Sequence, residues 1–347
     1  MRAERSLVVQ HSARAAGEEV TTYATHMAAT AGDGIRPVFF SWPRALFGRY
    51  DVFHLHWPDG LSGTAQGVKG TITYALTRSL IARLRWRRIP VVYTLHNRAP
   101  HDLRMSRRLR RVYEGFERLT TVEIHLVPEP GRVTAAATAS IPHGGYAEAF
   151  ARYPREDPAP GRALFFGLIR PYKGIEELLD AFAALDDDVS LRIVGQPRYG
   201  GSAALRAAIG RAASADPRIS ARLGLVPDRE LVAEVTRAQL VVLPYRGLHS
   251  SGALLAALSL GRPVLVPDST TTRALRDEVG DGWVRIYPGT LDREVLEQAI
   301  RRTRDLPPSP PDLSSRSWER VRAAHAEVYR TAVSRRRRGR TPRRDGA

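Results

Sequence analysis

Short apolar runs alternate with helical patterns along almost the whole of this 347-residue chain, and that alternation restricts its fold more than any other feature. Segments 6–10, 36–40, 51–56, 90–96, 121–127 and 139–142 read as buried strands, with helical spacing at 18–31, 71–88 and 106–119 between them. The pattern resumes with strands at 163–166, 190–194, 240–243, 263–266 and 283–287. Helices are expected at 174–184, 202–213, 228–237, 252–260 and 271–279. Strand, helix, strand is the repeating unit of a parallel sheet covered on both faces, so the fold class is α/β, doubly wound. The length suits two such domains. Residues 153–161, rich in proline and charge, make the natural linker. The expected division is therefore 1–153, a linker at 154–161, a second domain at 162–306, and a closing helix within 307–333.

The chain has no cysteine, which removes disulfides, thiolate ligands and thiol nucleophiles from consideration. Met1 to Ser12 carries charge without a long apolar core, and no run approaches the roughly 20 apolar residues of a membrane span. A cytoplasmic protein is expected. Its net charge of +17 calls for an anionic partner. Part of the excess lies in a tail, 334–347, expected to be unstructured. Within 77–88, Leu80, Ile81, Leu84 and Trp86 are interleaved with arginine, as in a helix lying on an interface, and 105–113 adds a second basic cluster. An anionic membrane face is the expected partner. Nucleic acid is not, because the few aromatic residues do not interleave with the arginine clusters.

Only two lysines stand against 51 arginines, and one of them is in Phe165-Phe-Gly-Leu-Ile-Arg-Pro-Tyr-Lys-Gly174. A strand here meets Gly167, two cations three residues apart, and then a helix. Open parallel sheets bind ligands beyond the carboxyl ends of their strands, and a compact ammonium suits a diphosphate. Arg170 and Lys173 are thus candidate phosphate contacts. A second candidate loop runs from Leu243 through Tyr245 to Ser250, Ser251 and Gly252, where a buried helix begins. Free N–H groups at that start favour an anion, and Gly252 lets it approach the backbone. The acidic run 186–188 lies in a turn between helix and strand and is not read as a metal site.

Taken in order, these two loops with Ile193-Val-Gly195, Gly261-Arg-Pro-Val264, Tyr93-Thr-Leu-His-Asn97 and Ile141-Pro-His-Gly-Gly145 resemble the GT-B glycosyltransferases, in the glycosyl transferases group 1 superfamily. The resemblance spans about 6–333. It implies two Rossmann-like domains facing across a cleft, with the acceptor held by the N-terminal one and a nucleotide-diphosphate sugar by the C-terminal one. It also implies no metal, the leaving diphosphate being neutralised by Arg170, Lys173 and helix N-termini. On this reading Gly167, Tyr245, Ser250, Ser251, Gly252 and His143 contact the donor. Two departures stand out: Leu248 and Ala256 occupy the places of the family's paired glutamates, and Leu168 replaces a frequent arginine. They leave open whether the sugar transfers with retention or inversion. The Ser-Gly loop is similar to that of bacterial exopolysaccharide mannosyltransferases, which implies GDP-mannose as donor and a glycan or lipid-linked acceptor.

His96, at the end of an apolar strand, is the first candidate for a catalytic contact, and Asp102 and Asp59 are candidate bases should the reaction invert. His54 and His56 flank Leu55 and are expected on opposite faces of their strand, one lining the cleft. Two other readings remain: an inactive GT-B scaffold, or a basic α/β protein that binds nucleic acid.

Overall fold

The computed structural model describes residues 5–14, 23–28, 34–62, 67–96, 106–127, 134–186, 188–197, 202–246, 252–305 and 309–338. They fall into two compact units, one running to His143 and resuming at Trp318, the other running from Gly144 to Ser317. The first division falls ahead of the proline-rich stretch, because Tyr146 and Phe150 are buried in the second unit's core and the Tyr146 amide donates to Ser259 Oγ.

Unit 1 contains strands β1 (Leu7–His11), β2 (Ile35–Val38), β3 (Val52–Leu55), β4 (Val91–Leu95), β5 (Thr120–His125) and β6 (Ala137–Ser140). Helices α1 (Tyr23–Ala28), α2 (Trp42–Phe47), α3 (Val68–Trp86) and α4 (Arg107–Glu117) connect them. All neighbouring strands are parallel, in the order β2-β1-β3-β4-β5-β6.

Unit 2 contains β7 (Arg162–Phe166), β8 (Ser190–Gly195), β9 (Ile219–Leu223), β10 (Leu240–Val242), β11 (Val264–Pro267) and β12 (Val284–Tyr287). Its helices are α5 (Ala147–Phe150), α6 (Ile175–Ala183), α7 (Ser202–Ala215), α8 (Asp228–Arg237), α9 (Gly252–Ser259), α10 (Thr270–Val279) and α11 (Arg293–Arg301). Its sheet is also parallel, ordered β12-β11-β10-β7-β8-β9. The last helix, α12 (Trp318–Arg338), returns the chain to unit 1. It extends five residues into the basic tail that was expected to lack structure. No helix among the described residues is long and apolar enough to cross a membrane.

Strand parity explains unit 1. Residues two apart on a strand share a face, so Val8, Phe53, Leu55 and Val91 turn to one side, where Leu80 and Leu84 of α3 and Val112 and Phe116 of α4 cover them. Val9, Val52 and Val92 turn to the other, under Trp318, Val321, Val328 and Tyr329 of α12. Beyond those valines the same face carries His11, His54 and His56. The two strand histidines are therefore neighbours, with ring centroids 4.1 Å apart, and the expectation of opposite faces is corrected.

Polar contacts fasten α12 over this face. His54 shares hydrogen bonds with Tyr329 (2.7 Å) and Thr94 (2.8 Å). His325 Nδ1 lies 2.7 Å from the Val321 carbonyl, so that nitrogen carries the proton and Nε2 accepts from the Tyr23 hydroxyl at 3.2 Å. His26 stacks on Trp318 at 4.4 Å. Burial, with a lesser contribution from His325, holds the pKa of His11 down to about 3, and burial holds that of His325 down to about 4. Burial also keeps His54 and His56 well below the usual histidine range.

The folded unit thus binds fewer protons than the unfolded chain below pH ~6.5, so the stability these groups supply is intact above that value and lost as the pH falls towards 4. Each of the four contributes up to about 1.4 kcal/mol per pH unit in that window. Urea unfolding followed by tryptophan fluorescence should therefore show a steep loss of stability from pH 6.5 to 5, made shallower by H325Q; a flat profile would contradict the buried neutral cluster.

Candidate active site

In a doubly wound sheet the ligand crevice lies at the carboxyl edge where the strand order reverses. In unit 2 that point falls between β7 and β10, and the two loops singled out in the sequence leave these two strands. The first turns through Gly167 (φ +118°) into a 3₁₀ turn, Pro171–Lys173, and then through Gly174 in the left-handed region (φ +66°) into α6. A Cβ on Gly174 would overlap the Pro244 carbonyl, so the close approach of the two loops requires glycine there. A Cβ on Gly195, at the end of β8, would similarly overlap the Gly167 carbonyl.

The loops are joined at three points. The Arg246 amide donates to the Tyr172 carbonyl (2.8 Å), the Arg246 guanidinium pairs with Glu177, and Lys173 Nζ donates to the Tyr245 hydroxyl (2.9 Å). The Lys173 ammonium also lies over the Tyr245 ring, 4.0 Å from its centroid, and is only 8% exposed. Burial first, and the Arg170 guanidinium second, bring its pKa down from the ordinary lysine value to about 7. Gly167 borders this corner: a Cβ there would be in ordinary contact with the ammonium at 3.5 Å, and it is the backbone φ of +118° that calls for glycine. Two cations on one short turn, one of them buried, favour an anion between them.

Sequence reasoning thus places Gly167, Arg170, Lys173 and Tyr245 in one corner of unit 2. Gly252 opens α9, whose residues Leu254–Leu258 are buried; Ala256 is among them, so no side chain at that position can accept a hydrogen bond from a sugar hydroxyl. Ser250, Ser251 and Leu248 lie outside the described residues, as does Asp102.

In unit 1 the strand order reverses between β1 and β3. Three histidines stand at the carboxyl ends of β1, β3 and β4 and form one hydrogen-bonded row. His11 Nδ1 lies 3.0 Å from His56 Nε2, and His56 Nδ1 lies 3.2 Å from His96 Nε2. Each bond holds one proton, so the tautomers are linked: a choice at one ring sets the other two. His96 is stacked on Trp57 (4.2 Å) and met edge-on by Tyr23 (4.9 Å), which fix its plane. His143, the last residue before the division, packs on the same tyrosine at 4.8 Å. Asp59 lies in a 3₁₀ turn (Pro58–Leu61), where it and burial raise the pKa of the Tyr113 phenol, burial being the larger cause.

Nitrogen atoms of His11, His54 and His56 lie within 4.8 Å of one another, close enough to suggest a metal centre. Both ring nitrogens of His54 are already engaged by Tyr329 and Thr94, so the trio is not presented as a ligand set. His11 was missed in the sequence because a single histidine at a strand end gives no signal until its neighbour strand is known.

Residues 160–304 match the family described as "Glycosyl transferases group 1". Over 313 residues the chain is 41% identical to the GDP-mannose:glycolipid 4-beta-D-mannosyltransferase of Xanthomonas campestris pv. campestris, covering 90% of this chain and 88% of that protein. Among solved structures it resembles the sucrose-phosphate synthase of Thermosynechococcus elongatus (TM-score 0.61, 16% identity, 95% of this chain and 100% of that one). It also resembles Anabaena HepE in complex with UDP-glucose (TM-score 0.59, 14% identity, 96% and 99%). These structural neighbours share the GT-B fold. The chain belongs to the glycosyl transferases group 1 family and is a hexosyltransferase of the GT-B fold that draws on a nucleotide-activated sugar.

Proposed function

We propose that the protein transfers mannose from GDP-mannose to a hydroxyl group of a glycolipid and forms a β-mannoside. The observation that carries this reading is the reach of the likeness to the Xanthomonas enzyme: 313 matched residues are more than either unit contains, so the similarity runs through both. The acceptor's lipid would place the working protein at the cytoplasmic face of a membrane, as a peripheral partner.

The mannosyl carbon of GDP-mannose is α-linked, so a β product means inversion. The acceptor oxygen attacks C1 from the face opposite the diphosphate, and the C1–O bond breaks with its electron pair leaving on GDP. The hydroxyl proton passes to a base. Arg170 and Lys173 are assigned to the negative charge that gathers on the departing diphosphate, a task we give to these cations rather than to a metal; fixed charges aimed at developing charge contribute the largest share of many rate enhancements. Inversion also accords with Ala256, since an inverting transfer needs no carboxylate at that place on α9.

His96 is assigned as the base. In the tautomer set where His96 Nε2–H donates to His56, and His56 Nε2–H to His11, the lone pair of His96 rests on Nδ1. His56 and His11 are positioning residues that hold this set. On this assignment H96N should lower kcat roughly 10²- to 10⁴-fold while leaving GDP affinity unchanged. Retention of near-normal turnover by H96N would remove His96 from the mechanism.

Lys173 predicts a proton linkage. With its pKa near 7, the free protein holds it partly neutral at physiological pH, and a bound diphosphate favours the ammonium. GDP binding should therefore take up a fraction of a proton at pH 7.5 to 8 and weaken as the pH rises. Calorimetry in buffers of different ionisation enthalpy measures the uptake directly. K173R, charged throughout, should abolish the uptake, and K173A should weaken binding; equal proton uptake in wild type and K173R would refute the assignment. In the absence of ligand the sign is that of any group whose pKa folding lowers, a paired carboxylate included. The unfolded chain holds the extra proton between pH ~7 and 10.5, so this group's contribution to stability rises across that window.

A further inference from the structure

The far end of unit 1, beyond the amino ends of β4 and β5, carries a feature that sugar transfer does not use. A concavity of about 750 Å³ is lined by Arg85, Arg88, Arg118, Arg335, Arg336 and Trp86, with no carboxylate in its wall. Of these five arginines, Arg118 alone has an acidic partner among the described residues, Glu114 at 3.6 Å. Arg88 is the single non-glycine residue described with a left-handed backbone (φ +53°), an uncommon and costly conformation for a long side chain. It is held by the Arg88 amide, which donates to the Arg85 carbonyl (3.1 Å), and by Arg336 Nε, which donates to the Arg88 carbonyl (3.3 Å). Five guanidinium groups brought to one hollow repel one another and focus a positive field there, which an anion with several oxygens relieves by paired hydrogen bonds.

A second observation identifies the kind of anion. Helix α3, which ends at this hollow, contains Lys69, Arg78, Arg83 and Arg85 and no acidic residue. Its buried face uses Gly70, Thr77, Leu80 and Leu84. Its outward face exposes Val68, Ile72, Ala75, Ser79, Ala82 and Trp86, at alternate steps of four and three along roughly 28 Å of helix. Three of the five large apolar side chains exposed among the described residues lie on this stripe, and Trp86 is 76% exposed. A fourth, Phe47 (81%), sits on α2, which Arg83 ties to α3 through the Leu46 and Gly48 carbonyls. Arg87 stacks on Trp86 (4.7 Å), so the aromatic ring and positive charge are presented together. Tryptophan flanked by cations is the arrangement favoured where water meets anionic lipid.

We propose that the outward face of α3 docks on an anionic phospholipid bilayer, with Trp86 entering the interface and the arginine hollow taking the phosphate of a lipid headgroup. The proposal rests on the glycolipid reading only in taking its phosphate from a lipid. Because α3 runs from the carboxyl edge of the sheet to the amino edge, a bilayer along it reaches both the histidine end of unit 1 and the arginine hollow.

Flotation of the full chain with vesicles tests this, using phosphatidylcholine alone and phosphatidylcholine mixed with phosphatidylglycerol. GDP binding, measured in parallel, keeps this test separate from the transferase assignment. Wild type should float with the mixed vesicles only. W86A, and the double variant R88G/R336S, in which glycine suits the φ of residue 88, should each reduce binding about tenfold or more. R206S/R211S, equal in charge but on α7, should leave it near wild type. Four outcomes overturn the proposal: equal loss in the α7 control, which means diffuse charge; full binding by W86A; saturation by inorganic pyrophosphate without any vesicle binding, which means a soluble anion; or an apolar stripe occupied by a second copy, seen as a dimer that I72E dissociates.

Discussion

In a parallel sheet every strand delivers its chain to the same edge, and this directional constraint decides where chemistry can be placed. Each unit has one reversal of strand order, between β1 and β3 or between β7 and β10, and there the outgoing loops diverge and leave a crevice. The histidine row occupies the first of these positions and the Lys173 corner the second. Neither location depends on the identity of the loop residues; it follows from strand order. What the side chains add is sign and reach: a row of imidazoles, of which burial keeps His11 and His56 neutral, in one unit, and two cations in the other.

The Lys173 corner was largely legible in the sequence because its signal is local. A strand, a glycine, two cations and a second glycine occur within ten residues, and the only surprise is how tightly Gly174 and Pro244 bring the second loop against the first. The histidine row was legible in one member only. His96 follows an apolar strand and stands out, whereas His11 and Tyr329 acquire meaning through neighbours 45 and 275 residues away. Parity should have set His54 beside His56 from the start, since the alternation of a strand has a period of two.

Where the fold departed from expectation, the reason is burial. Strand β9, Ile219-Ser-Ala-Arg-Leu223, lies at the sheet edge with only Ile219 fully buried, so it never presents an apolar run. Short α2 is one and a half turns with a single buried alanine, too little for a periodic pattern. Helix α12 outlasts its apolar residues because its last turns are continuous with a helix already docked on the sheet, and propagation costs far less than nucleation.

The return of α12 to unit 1 has a consequence for how the protein is made. The described residues of unit 2 all lie in one stretch, Gly144–Ser317, which is complete as soon as it leaves the ribosome. Unit 1, although its sheet is synthesised first, has only Tyr23 and Met27 of α1 over its histidine face until Trp318, His325 and Tyr329 emerge; the Tyr23–His325 hydrogen bond spans 302 residues. The half of the protein that is translated first is the half that matures last. Throughout synthesis of unit 2 it presents a parallel sheet that α12 has yet to close, the kind of exposed apolar surface that makes a folding intermediate prone to aggregate.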